Sequence, residues 1–317
     1  MELPVEGIEA SMIDQPISKP IKRPRRPKGS VVERSIAGYL FILPALVSLL
    51  VFTLGPIVYA FYISFQHFSF LDPQNATFVG LANYVHLFHD PEFLRALWNT
   101  SFYSLGVVPT QTAIALFLAI IVNRLRGKTF FRVAYYLPTV TSTVAVSVMF
   151  IFIFAPDGLL NRFLSLFGIH GPNYFNSTLF ALPSVMVLAV WSSVGQYMIL
   201  YLAGLQDIPV DIYEASALDG ASGWNLIRYV TIPLLRRTTF LIVVMSLIGT
   251  FQVFDQVYVI SGGDGGPLNS TLSVVLDLFN KGFKTMQMGY ASAMAFFLFV
   301  ILLVFTLLQH YFLGREE

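Results

Sequence analysis

The sequence contains no cysteine. Disulfides, thiolate nucleophiles and Cys-bound metals are therefore excluded. Its five histidines stand singly, none paired at metal-ligand spacing. Charge is scarce too: only 12% of the 317 residues are Asp, Glu, Lys or Arg, against about a quarter in a soluble globular protein. The net charge of +1 offers no general attraction for nucleic acid. No Walker A, HExxH or GxSxG signature is present, so nothing reads as an enzyme. What is abundant is apolar: 56% of the chain is hydrophobic. That surplus points to the bilayer as solvent.

Six apolar runs are long enough to span it, at about 36–65, 101–122, 133–155, 178–202, 238–260 and 289–312. The expected fold is an all-α integral membrane protein with six transmembrane helices. Residues 36–317 form its transmembrane domain. Residues 1–35 form a tail with five prolines, no aromatic residue in its first 30 positions, and a basic cluster of Lys19, Lys22, Arg23, Arg25, Arg26 and Lys28. Such a tail should be disordered and cytoplasmic. It serves as a topology determinant or touches anionic headgroups of membrane lipid. Placing the N-terminus inside leaves only Arg95, Arg162, Lys281 and Lys284 of the 19 Lys and Arg in outer loops. That asymmetry predicts both termini inside. It also places the loop 203–237 in the cytoplasm.

Within that loop, Ile212–Pro233 reads as a folded piece. Asp211 and Glu214 have the spacing of a capping box, which predicts a short helix over 213–219. Gly220 should stop it with a left-handed cap. Ser222 can cap a second helix, which Pro233 ends or kinks. A helix, a glycine turn and a helix at a membrane surface suit docking into a groove of another protein.

Glu214, Ala215, Ser216, Asp219, Gly220, Ala221 and Pro233, at this spacing, resemble the EAA loop of ABC importer permeases. Ser216 replaces the third residue of E-A-A, and Ile232 stands where Leu is usual. Two further stretches are similar to the carbohydrate branch: FVGLANYVHLF with DPEFLRALWNT before the second span, and GGDGGPLNSTL after the fifth. The resemblance implies a type I ABC importer permease fold in a bacterial inner membrane. It implies that Glu214, Ala215, Ser216, Leu218, Asp219, Gly220 and Ala221 form a coupling helix seated in an ATPase. The implied partners are a second homologous permease, an ATPase dimer and an extracytoplasmic sugar-binding protein. ATP and Mg would sit on the ATPase and no cofactor on this chain.

The first four spans carry no ionised residue in their central portions; the fifth has Asp255 near its outer end and the sixth His310 near its inner end. Ion-coupled transporters keep ligands for the ion at mid-membrane. Their scarcity favours a neutral polar cargo and energy supplied from outside the membrane. Hydrogen-bonding groups cluster on two spans. Trp191, Ser192, Ser193, Gln196 and Tyr197 lie on the fourth; Ser246, Gly249, Thr250, Gln252, Val253 and Asp255 lie on the fifth. The 192/196, 193/197 and 246/250 pairs share helix faces. In maltose-type relatives the resemblance places sugar contacts near Ser192, Ser193, Gln196, Ser246, Gly249, Thr250 and Val253. Small polar residues also glue membrane helices together, so both roles stay open. A homo-oligomeric channel or facilitator would equally explain six spans and few charges. It would not explain a structured cytoplasmic loop.

Overall fold

A computed structural model of the protein describes residues 31–313. The basic cluster of the tail lies outside them. The chain divides at Pro56 into two units. In the first, α1 (Val31–Leu49) runs into a π-turn over Leu50–Leu54. Its large apolar side chains from Tyr39 onward are exposed. The π-turn ends two residues before Pro56, whose ring would crowd a regular α-turn. A second π-turn, Ile227–Thr231, ends two residues before Pro233 in the same way.

The second unit begins in α2 (Gly55–Ile63), followed by a short antiparallel pair, β1 (Gln66–His67) with β2 (Thr77–Phe78). Then come α3 (Ala82–Leu87), α4 (Pro91–Arg124), α5 (Lys128–Val140), α6 (Thr143–Ile153) and α7 (Leu159–Ser165). The chain continues with α8 (Ala181–Gln206), α9 (Val210–Leu218), α10 (Gly223–Leu226) and α11 (Ile232–Leu234). Finally α12 (Arg236–Phe251), α13 (Asp255–Ser261), α14 (Val274–Phe279) and α15 (Met288–Leu313) close the fold. Among the described residues, five helical runs are long and apolar enough to cross a membrane, and α5 with α6 makes a sixth if taken as one broken span. Phe131 of α5 packs against the core cluster that contains Val122, Leu202, Leu205 and Leu235, whereas Phe150 and Phe154 of the α6 region belong to a separate cluster with Leu188.

The structure corrects several expectations. Pro138 is able to kink the third span, and the bend found is larger than a kink: α5 and α6 meet at 93°. Pro138 cannot donate to the helix, and Thr141 and Ser142 take extended conformations just after it. The Thr141 hydroxyl donates to the Leu137 carbonyl at 2.9 Å, satisfying a group the break sets free. The DPEF segment forms the first turns of the 34-residue α4. Asp90 caps it, accepting from the Glu92 amide at 2.9 Å, with Pro91 at the first helical position. The capping box of Asp211 and Glu214 does not form. The helix starts earlier, at Val210 after Pro209, so Asp211 already lies in its first turn. Ser222 is extended, as a cap should be, but its hydroxyl makes no capping bond.

The core is α4 laid along α8, flanked by α5 and α12. Small residues let backbones meet. An added Cβ on Gly195 of α8 would fall 1.8 Å from the Tyr135 carbonyl of α5. This is the close approach that membrane helices use in place of a hydrophobic driving force. Replacing Gly195 with Ala must push α5 away. The expected cost is roughly 1–3 kcal/mol, read as a lower melting temperature and yield in fluorescence-detected size exclusion. An unchanged melting temperature would show that α5 is free to shift.

The segment leading into α4 meets the segment between α13 and α15. Asn99 donates to the carbonyls of Asn269 and Leu272 at 2.8 and 3.1 Å, so it works as a turn clamp. Lys281 binds Glu92 at 2.6 Å and lies 3.7 Å from Asp90. Tyr290 donates to Asp90 at 2.8 Å. Asp277 is buried beside them, and its Oδ2 has no hydrogen-bond partner. Burial pushes Asp277 up to about 7; Lys281 opposes the shift, and Asp90 and Glu92 add to it. For Asp90, burial is outweighed by the Tyr290 bond, the Glu92 amide, Lys281 and the Phe93 amide, which hold it below the usual carboxylate range.

The sign follows from linkage. Between 3.8 and about 7 the unfolded chain has lost the Asp277 proton while the folded chain keeps it. This residue's contribution therefore makes stability fall as pH rises through that window and level off above it. Asp277→Asn removes that loss. Its melting temperature should match the wild type near pH 4 and exceed it increasingly up to neutrality. A constant difference across the range would contradict the assignment.

Candidate functional site

A cavity of about 260 Å³ opens between α4, α8, α12 and α13. Tyr103, Val107 and Gln111 face it from α4, at successive i, i+4 positions on one helix face. Ala189, Ser192, Ser193 and Tyr197 face it from α8, and Thr143 from the start of α6. Ser246, Gly249 and Thr250 line it from α12; Gln252, Val253, Phe254, Asp255 and Gln256 line it from the interruption and the first turn of α13. Of the residues named on the fourth and fifth spans, Trp191 and Gln196 are absent from this lining, and Trp191 faces a separate, apolar cavity. Gln196 is the one with a polar neighbourhood of its own. It borders a second cavity of about 140 Å³, with Thr139 and Thr141, which shares Thr143, Ser192, Ser193 and Gln256 with the first.

The interruption at Gln252–Phe254 was not foreseen, since the fifth span reads as continuous. Unwound backbone is tolerated at membrane depth where it lines a cavity and its groups find partners. Here Ser273, from the outer segment, donates to the Val253 carbonyl at 2.9 Å. Asp255 opens α13 and is exposed at the cavity wall.

The wall is held by a buried polar network. Gln111 donates from Nε2 to the Ser246 hydroxyl and accepts at Oε1 from Ser193. Ser104 and Thr250 share a hydrogen bond of 2.8 Å, and Tyr103 donates to Gln256 at 3.2 Å. The residues left open between substrate contact and helix glue are therefore placed for both: Ser193, Ser246 and Thr250 tie α8 and α12 to α4 and face the cavity. The contribution of α4 was missed. The signal available was Gln111 itself, an amide in an apolar run that is costly to bury without a partner.

In the loop 203–237, α9 and α10 form the expected helix–turn–helix. Gly220 has φ +81. Its amide donates to Ala217 O at 3.1 Å and the Ala221 amide to Ser216 O at 2.9 Å, the paired bonds of a Schellman cap. Glu214, Ala215, Leu218, Asp219 and Gly220 are exposed; Ser216 and Ala221 are half-buried. Leu218, at 90% exposure, and Trp224, at 66%, stand out as apolar side chains with no cover in the chain itself.

A multi-pass helical membrane protein, with a polar cavity at the heart of its bundle and a built loop at one end, is a transport protein by architecture. The chain belongs to the family described as "Binding-protein-dependent transport system inner membrane component", whose model matches residues 111–316. It is similar to the probable ABC transporter permease protein YurN of Bacillus subtilis (strain 168), 37% identical over 295 residues that cover 90% of this chain and 100% of that one. It is 35% identical to the lactose transport system permease protein LacF of Rhizobium radiobacter, over 87% of this chain and 93% of that one. Among solved structures it matches a chain of a bacterial ABC transporter involved in the import of the acidic polysaccharide alginate. That match has a TM-score of 0.77 at 22% identity and covers 90% of this chain and 98% of that one; it shows the fold. The chain is thus an ABC importer permease, a transport component and not an enzyme.

Proposed function

We propose that this permease passes a neutral carbohydrate across a bacterial inner membrane. The observation that carries the reading is the cavity. Hydroxyls and amides from α4, α8 and α12 face it, Asp255 is its one ionisable acidic group, and no Lys or Arg lines it. Uncharged donors and acceptors on rigid helices suit a polyol, whose hydroxyls need both. LacF, by its name, is a lactose permease. Tyr103, Tyr197 and Phe254 add aromatic surface to the wall.

The partners follow from what one chain lacks. Half of the path would come from a second, homologous permease. An extracytoplasmic binding protein would deliver the sugar, and a pair of ATPase subunits would hold ATP and Mg. Glu214, Ala215, Ser216, Leu218, Asp219, Gly220 and Ala221 would seat in the ATPase, covering Leu218. When the ATPase dimer closes, α9 and α10 move as one piece with it. The Schellman cap keeps them rigid, and the displacement passes through α8 and α12 to both walls of the cavity. This is alternating access of a bistable bundle around a fixed site.

The test uses the chain with its genomic partner permease, ATPase and binding protein in proteoliposomes. Radiolabelled lactose, maltose and maltotriose are offered with ATP inside. ATP-dependent uptake of at least one is expected. Sugar flux by the chain alone without ATP would instead support the facilitator. Gly220→Pro demands a φ near −65° where the chain holds +81, and it removes the amide that bonds Ala217. It should reduce uptake to background while membrane insertion stays normal. Wild-type uptake by that variant would sink the coupling role of the loop.

A further inference from the structure

An ionisable side chain inside a membrane span is costly, and where one is kept it marks the path of what is carried. The apolar run Arg236–Ser261 has a single acidic residue, Asp255. The break at Gln252–Phe254 lets α13 start afresh with Asp255 as its first residue. The carboxylate is exposed on the wall of the cavity of about 260 Å³. It has no hydrogen bond or ion pair among the described residues.

No positive charge offsets it. Neither the lining of this cavity nor that of the adjoining one at Gln196 includes Lys, Arg or His. The next residue, Gln256, is engaged at Oε1 by Tyr103. Other polar groups of the wall are already tied to one another: Gln111 to Ser193 and Ser246, and Thr250 to Ser104. Asp255 is therefore the strong acceptor that the wall leaves uncommitted. A carboxylate in the first turn also favours its helix through the dipole, but that role asks nothing of the cavity, and an uncharged capping side chain serves the same helix end.

A carboxylate accepts through both oxygens and donates nothing. Its bonds to hydroxyls are roughly twice as strong as those between neutral groups. A sugar hydroxyl satisfies it. A carboxylate, sulfate or phosphate on the sugar does not: it brings a second negative charge into a confined space, where water screens less than in bulk.

We propose that Asp255 sets the charge preference of the path, taking hydrogen bonds from the hydroxyls of a neutral sugar and turning away uronic, sulfated and phosphorylated sugars. The proposal rests on the carbohydrate reading above. It deepens that reading by naming the residue that keeps the cargo neutral.

The test reads the field in the cavity without any sugar, so the binding protein's own selectivity does not enter. The chain has no cysteine, and an added Cβ at Gly249, which lines the same cavity, meets nothing within 4 Å. Gly249→Cys thus supplies a single reporter thiol. The permease–ATPase complex is treated with a trimethylammonium-bearing and a sulfonate-bearing methanethiosulfonate of similar size, with and without ATP and vanadate. Modification of this chain is followed by mass, and each rate is divided by that reagent's rate with free cysteine. A shift in the thiol's own reactivity acts on both reagents and cancels in their ratio.

The cationic reagent should be favoured, and Asp255→Asn should lower the cation-to-anion ratio about tenfold, as expected for opposite probe charges beside one fixed charge. Asp255→Glu should restore the ratio to within about twofold. If Asp255→Asn fails to assemble, Asp255→Ser, an uncharged helix cap, takes its place with the same expectation. A ratio that does not move on neutralisation would overturn the proposal. So would an equal change at a control thiol, Leu166→Cys, which is exposed outside the cavity. A thiol at 249 that neither reagent reaches in any nucleotide state would overturn it together with the reading of the cavity as a path. Wild-type transporter that moves none of lactose, maltose and maltotriose defeats the carbohydrate reading itself, whatever the thiol ratio shows.

Discussion

A polar cavity inside a lipid-immersed bundle is sustainable only if its hydrogen bonds close within the protein. An unpaired amide or hydroxyl in hydrocarbon costs several kcal/mol by transfer measurements. Gln111 is where this constraint is met. It lies on α4, the helix that packs along α8 and against α12, and it binds a hydroxyl from each. The same contacts that hold the three helices together set the wall of the cavity. Packing and function are thereby one problem, and the residues that solve it are hydroxyls and amides, not charges.

Two further devices serve that wall from a distance. The meeting of Gly195 with the Tyr135 carbonyl brings α5 against α8, so that the sharp turn into α6 can carry Thr143 to the cavity. At the outer end, Asp90, Glu92 and Lys281 tie α4 to the segment after α13, whose Ser273 holds the broken backbone at Val253. At the opposite end the Gly220 cap makes a rigid body of α9 and α10. The bundle therefore has a polar centre between a clamped rim at one end and a capped helix–turn–helix in the loop 203–237.

Much of this was readable from residues. Serine, threonine and tyrosine at helical spacing in otherwise apolar runs placed Ser192, Ser193, Tyr197, Ser246 and Thr250 on common faces, because burial of polar groups in a membrane helix has few innocent reasons. Gly220 was legible because only glycine takes a positive φ freely. The missed features are those decided by tertiary contact. Pro138 signalled a disturbance, but the 93° turn falls at Thr141 and Ser142, where neither residue compels it. The break at Gln252–Phe254 depends on Ser273, some twenty residues away. Asp211 had a capping partner at the right spacing, yet Pro209 began the helix sooner. Gln111 was passed over, because only its two partners on other helices reveal what it does.

The central claim is that this chain works as one permease of a binding-protein-dependent pump for neutral sugar. The most direct measurement is a mild-detergent pulldown of the tagged chain from its native host, with partners identified by mass spectrometry. The account predicts recovery of a second permease and an ATPase in stoichiometric amounts, with both lost together in Gly220→Pro or the ATPase alone. Recovery of the chain by itself, as a stable homo-oligomer that still moves sugar without ATP, would contradict it.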